Sequence, residues 1–221
     1  RRLLASLGID MGDARETLRR YIAAVQDGLA GRAGQGFLQA TPVGVAAPVY
    51  VAANTLETAA VAGEVGDGLM PFLTPRSALP ALVAAAREAA ARAGRRLHDC
   101  ACVLSIPTFL SEDRAAARSA ARYNLAFFAQ LPNYRRQWRR AGFGEAMDAI
   151  RALAAAASRR EIAALIPDAL VDEVCVFGTV DDCRAQLAAF HAAGADLPVL
   201  AVSPVNGERL EATRQAIAAL A

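Results

Sequence analysis

The chain contains no lysine; its 24 basic residues are all arginine. This excludes Schiff-base lysine chemistry and a phosphate-binding P-loop lysine. Histidine is almost as scarce, with two residues, and the four cysteines show neither a C-x-x-C spacing nor histidine partners at ligand distance. A structural zinc centre is therefore not expected, and no metal site is assigned. Four cysteines also make no disulfide scaffold. Cys100 and Cys102 lie in one apolar run, Cys175 in another and Cys183 in a helical pattern, all reading as buried small hydrophobes in a reducing cytoplasm. Apolar runs are short or broken by Arg, Asp and Glu, so none reads as a bilayer span, and no signal peptide is recognisable. A net charge of +2 supplies no strong field for nucleic acid or an anionic membrane. A cytoplasmic protein acting on a small molecule is expected. The opening Arg-Arg-Leu-Leu has no Met and already reads as helical, as expected after truncation or processing.

What is present is apolar material. Of 221 residues, 55% are hydrophobic, enough for one sizeable core and too few residues for several ordinary domains, so residues 1–221 are expected to form a single α/β domain. Leu18, Tyr21, Ile22, Val25 and Leu29 recur at helical spacing. After a glycine-rich break, Phe37–Ala40 reads as a short extended piece and Pro48–Ala53 as a buried strand. Asn54 or Thr55 can cap the helix that follows, with Glu57 placed for a capping box with Asn54. That helix ends at Gly66-Asp67-Gly68. Leu69–Leu73 reads as a second strand, Ser77–Ala93 as a helix, and Cys100–Ile106 as a third strand stopped by Pro107. A helix from Ser111, an irregular excursion over 131–164, a helix opened by Thr179 with Asp182, a fourth strand Pro198–Ser203 and a last helix complete the pattern. Strands apolar on both faces, alternating with helices, predict a parallel sheet covered by helices. An open doubly wound sheet and a (β/α)8 barrel both fit. A full barrel takes about 250 residues, so four strands would make half of one.

In either layout, ligands bind where strands end and helices begin. The most informative junction is Val51-Ala52-Ala53-Asn54-Thr55-Leu56-Glu57-Thr58. Two alanines let a flat or phosphorylated ligand approach the backbone, and Asn54, Thr55 and Thr58 offer donors at the positive end of a helix. Plain helix capping and packing explain the same residues. Phe72, Thr74, Ser105 and Ser203 are placed at strand carboxyl ends, where each either lines a substrate or flavin cavity or fills the core.

The segment PVYVAANTLETAAVAGEVGDGLMPFLTP resembles the luciferase-like monooxygenase family, as do FAQLPNYRRQWRRAGFGE and VDEVCVFGTVDDCRAQLAAFHAAGAD, in that order. The resemblance runs from about Gly8 to Ala221. It implies an α/β, parallel-stranded TIM-type (β/α)8 barrel of which about strands 5–8 are present: Pro48–Ala53, Leu69–Leu73, Cys100–Ile106 and Pro198–Ser203. It further implies an oxidoreductase that uses the deazaflavin coenzyme F420, preferred here, or FMN for hydride transfer or monooxygenation of a small organic substrate. A homodimer is usual among relatives. Cofactor binding is carried to Ala52, Ala53, Asn54 and Thr55, with Thr58 as a weaker candidate, and the substrate pocket to Phe72 and Ser105. No catalytic residue is assigned, because the family's reside in the first four strands; the fragment would then be inactive without its other half. The contrasting reading is a non-catalytic α/β module that binds a partner through its helical excursion.

The remaining residues read as structural. Tyr134-Arg135-Arg136-Gln137-Trp138-Arg139-Arg140 is the densest basic–aromatic cluster. In a near-neutral chain it is expected to be a solvated helix face with Tyr134 and Trp138 packed inward, rather than a nucleic-acid surface. His98 and His191 are expected to be structural.

Overall fold

The computed structural model describes residue 6 and residues 12–32, 47–98, 101–153 and 157–220. Phe37–Ala40 and Cys100, both addressed by the sequence reading, lie outside the described residues. The chain divides into two compact units, Arg1–Met70 with Leu82–Ala101, and Pro71–Ala81 with Cys102–Ala221. All strand pairings are parallel.

In the first unit, α1 (Ala14–Leu29) starts at Asp13, whose carboxylate accepts the N–H groups of Arg15 and Glu16. Strand β1 (Tyr50–Val51) pairs with β2 (Gly68–Leu69), and α2 (Leu56–Val65) connects them. Both strands are shorter than Pro48–Ala53 and Leu69–Leu73. The Gly-Asp-Gly link lets them come together. A Cβ at Gly66 would lie 2.7 Å from Val51 Cγ2, and one at Gly68 would lie 2.4 Å from the Tyr50 ring, so close backbone approach demands glycine at both. Between them, Asp67 accepts from Val49 N (2.8 Å), and its carbonyl accepts from His98 N (2.8 Å). His98 also meets the Tyr50 hydroxyl at 3.0 Å, a structural contact. Helix α3 (Leu79–Arg92) buries Leu79, Leu82, Val83, Ala86, Ala89 and Ala90 at i, i+3, i+4 spacing.

The second unit is built on β3 (Val103–Leu110), flanked by β4 (Val176–Gly178) and β5 (Leu197–Val202) in the order β4-β3-β5. Here the structure corrects the sequence reading twice. Val176–Gly178 is a fifth strand, too short at three residues to stand out by pattern. Pro107 does not end β3, which runs on to Leu110. The reason is register: Cys102 and Thr108 carbonyls accept from Leu197 and Ser203 on the β5 side, so Pro107 turns its missing N–H to the other side. On that side Ser105 bridges to Phe72, and pairing with β4 begins only at Thr108. Pro107 occupies the hand-over between the two partners. Ser105 consequently sits inside β3, not at its carboxyl end. Strand β5 also departs from the two-sided burial expected: Leu197 is 50% exposed and Val199 42%, so one of its faces is open among the described residues.

Helix α4 (Arg114–Ala129) is followed by α5 (Pro132–Arg140), α6 (Gly144–Leu153), α7 (Arg159–Ala164) and α8 (Asp168–Val174) before β4, then by α9 (Val180–Ala192), and α10 (Arg209–Leu220) follows β5. Among the described residues the excursion over 131–164 consists of α5, α6 and α7. It packs Trp138, Met147, Ile150 and Ile162 into one core with Ala117, Ala121 and Leu125 of α4 and with Phe109 and Phe177 of the sheet. Trp138 is fully buried and Tyr134 partly so, as expected. Cys102, Cys175 and Cys183 are buried and free, and burial pushes the Cys183 thiol up to about 11.

Two outcomes test this packing. In Gly63→Ala the added Cβ would lie 1.9 Å from the Ala86 carbonyl oxygen, backbone that cannot swing away. The substitution is expected to cost about 1–3 kcal/mol in chemical denaturation. At neutral pH, Cys175 and Cys183 are expected to resist alkylation in the native protein and to react on unfolding, as read by mass spectrometry.

Candidate functional site

The turn after β1 is built by the helix it opens. Thr55 is the N-cap of α2, in extended conformation (φ −135°, ψ 158°). Its hydroxyl accepts from Thr58 N (3.3 Å), and the Thr58 hydroxyl accepts from Thr55 N (3.2 Å). The capping box therefore joins Thr55 with Thr58, not Asn54 with Glu57. Thr58 Oγ1 also donates to the Thr55 carbonyl (3.0 Å), so this hydroxyl is committed to the cap. Ala52 is exposed, Asn54 and Thr55 are partly exposed, and Ala53 is 2% exposed. The turn is open to solvent at Ala52, while Ala53 is packed beneath it. The box closes the N–H groups of Thr55 and Thr58; that of Leu56, in the first turn of a ten-residue helix, is no part of it.

The second unit carries the other candidates. Phe72 and Ser105 are brought together by their parallel bridge, but Phe72 turns its ring edge-on to Phe128 (5.4 Å) and Tyr134 (6.1 Å). Next to it, buried Leu73 adopts φ +51°, a left-handed conformation that costs a branched residue about 1–2 kcal/mol. The turn is clamped from α5. Trp138 Nε1 donates to the Leu73 carbonyl (3.0 Å), and the Gln137 amide reaches the same oxygen (3.1 Å) and Thr74 Oγ1 (3.0 Å). Thr74 is 3% exposed and fills the core instead of lining a cavity.

A cavity of about 650 Å³ lies where β3 and β5 end, lined by Phe109, Tyr123, Asn124, Arg159, Ser203 and Asn206 among others. Neither Phe72 nor Ser105 lines it. Extension of β3 past Pro107 moves the strand end from Ser105 to Phe109 and Leu110. Ser203 was legible as a strand-end residue; Asn124 and Arg159 come from helices and carried no signal in the sequence.

At the end of β4, Thr179 and Asp182 form the expected capping box, and Arg114 pairs with Asp182. The Thr179 N–H, above all, then the Thr179 hydroxyl and the Arg114 guanidinium, hold the Asp182 carboxyl below its ordinary value of 3.8. Gly178, at φ +111°, could not carry a Cβ beside the Asp182 carboxylate, 2.6 Å away. Among the described residues no cluster of His, Cys, Asp and Glu could hold a metal ion, and no helix is long and apolar enough to cross a membrane.

Comparison with known proteins adds an independent line. A family model described as luciferase-like monooxygenase matches residues 4–197. A protein of Mycobacterium tuberculosis, provisionally named a coenzyme F420-dependent oxidoreductase, is 30% identical over 162 residues, covering 69% of this chain and 46% of that protein. The chain thus spans about half the length of this relative. Among solved structures, the coenzyme F420-dependent tetrahydromethanopterin reductase of Methanopyrus kandleri superposes with a TM-score of 0.73 at 17% identity, over 91% of this chain and 61% of its own. A monooxygenase of Streptomyces bottropensis gives 0.60 at 19%, over 98% and 64%. At such identities these likenesses establish the fold: parallel strands and helices arranged as in the luciferase-like TIM-barrel enzymes.

Asp182 also yields a pH test with a definite sign. A carboxyl whose folded pKa is depressed stabilises the fold above its unfolded pKa and loses that contribution as pH falls through the folded value. In denaturation series, Asp182→Asn is expected to be less stable than the parent at neutral pH, with the difference shrinking below about pH 4.

Proposed function

The chain belongs to the luciferase-like monooxygenase family, and from that membership we propose that it serves an oxidoreductase using coenzyme F420 on a small organic substrate, with the cofactor's phosphate-bearing tail at the turn Ala52-Ala53-Asn54-Thr55. The observation that carries this reading is the turn itself, where exposed Ala52 leads through buried Ala53 and half-buried Asn54 into a capped helix start. The residues fit such a tail. Exposed Ala52 ends at Cβ, so an anion can come up to the main chain there. The Thr55–Thr58 box holds the first turn of α2 in place, and its N–H groups and helix dipole favour negative charge. Asn54 adds a partly exposed carboxamide. When bound, the deazaflavin supplies a ring carbon that accepts or donates hydride. The 30% identity to a protein named for F420 supports F420 over FMN.

Titration with F420 and, separately, with FMN, followed by cofactor fluorescence, tests the reading. Saturable binding of F420, tighter than FMN, is expected. Tighter FMN binding would reverse the cofactor preference, and binding of neither would overturn the function. Ala52→Trp places bulk on the exposed strand end. It is expected to weaken F420 at least tenfold, about 1.4 kcal/mol, without shifting the melting temperature. Unchanged affinity would reduce the turn to a helix cap.

A further inference from the structure

The cavity at the ends of β3 and β5 has a one-sided charge pattern. Its ionised lining side chains are Arg159 and Arg160, and among the described residues no carboxylate lines it. Neither guanidinium has an ion-pair partner among the described residues, unlike Arg114, Arg118, Arg122 and Arg139, which all face aspartates. Arg159 is held in position: Nε donates to the Tyr123 carbonyl (2.8 Å), and the guanidinium lies 4.1 Å over the Tyr123 ring and 5.8 Å from that of Phe127. Its positive charge is oriented but not neutralised. Arg160, the next residue, is exposed at the rim.

The same cavity holds an unmet acceptor. Asn124 Oδ1 is buried and has no hydrogen-bond partner, a state that costs free energy until a donor arrives. The half-exposed ring of Tyr123 supplies a flat apolar wall above buried Phe109, with Ser203 at the strand end.

We propose that this cavity binds a small organic anion, a carboxylate or phosphate monoester on a flat ring that also carries an O–H or N–H donor. The anion faces Arg159 and Arg160, the ring lies against Tyr123, and the donor turns toward the Asn124 carboxamide, whose Oδ1 lies just beneath the cavity surface. Arginine suits this task because its planar fork matches a carboxylate or phosphate and its stacking on Tyr123 preorganises it. Naming this anion as the substrate class rests on the oxidoreductase reading above; the binding itself does not.

Calorimetry of the whole chain with 4-hydroxybenzoate, against neutral 4-hydroxybenzyl alcohol, tests the proposal. The anion is expected to bind at least tenfold more tightly, with the margin falling as salt is raised. Arg160→Glu, at an exposed position, is expected to fold normally by circular dichroism and to lose at least tenfold in affinity for the anion. Asn124→Leu is expected to weaken it as well. Equal affinity for anion and alcohol, unchanged affinity in Arg160→Glu, or no binding at millimolar concentration would overturn the site. Displacement of the probe by saturating F420 would assign the anion to the cofactor's own charged tail and overturn the substrate class. A chain that binds hydroxybenzoate but neither cofactor keeps this site and loses the oxidoreductase reading; one that binds F420 without discriminating the anion does the reverse.

Discussion

The left-handed turn at Leu73 is the constraint on which the second unit is organised. A buried leucine at φ +51° does not stay there by its own preference. It stays because its carbonyl is gripped by Trp138 and Gln137, while its side chain is locked into the core that α4 to α8 share with Phe109 and Phe177. One buried indole thus does two jobs. It fills the middle of the helical excursion, and its N–H ties that excursion to the segment that bridges β3 through Phe72. The basic–aromatic run 134–140 is then a structural splint: Arg135 donates to the Ala129 carbonyl, Arg139 pairs with Asp148, and Arg136 and Arg140 are exposed.

Parallel pairing sets the positions of the strand ends, and strand ends set the positions of the candidate sites. β3 changes partners along its length, from Phe72 at Ser105 to β4 at Thr108, and the proline sits at the one place where a missing donor goes unmissed. Because the strand continues, its carboxyl end presents Phe109 to a cavity, and Ser105 stays within the ladder. The end of β1 follows the same logic in the first unit. There a Thr–Thr box consumes the hydroxyls that would otherwise face outward, leaving small side chains and main chain for contact.

A chain without lysine does its electrostatic work with arginine. Arg118 shows the usual arrangement: it bridges Asp168 and Asp172 of α8 and lies 4.9 Å over the Phe177 ring, joining α4 to α8 and β4. Exposed pairs of this kind contribute little singly, and their geometry chiefly fixes helix positions. The two arginines of the cavity are arranged differently: Arg159 lies over the Tyr123 ring and donates to the Tyr123 carbonyl, with Arg160 exposed beside it.

Much was legible in the residues alone. The alternation of apolar strands and capped helices established an α/β class with parallel strands, since local periodicity and caps such as Thr179–Asp182 depend only on neighbours in sequence. The ordered motifs placed the chain in its family for the same reason. What local pattern does not contain is pairing. The three-residue strand β4, the passage of β3 through Pro107 and the open face of β5 all depend on which backbone lies alongside. The cavity is a tertiary product as well. Phe109, Asn124, Arg159 and Ser203 are up to 94 residues apart, and only the packing of α4 and α7 around the ends of β3 and β5 brings them to one surface.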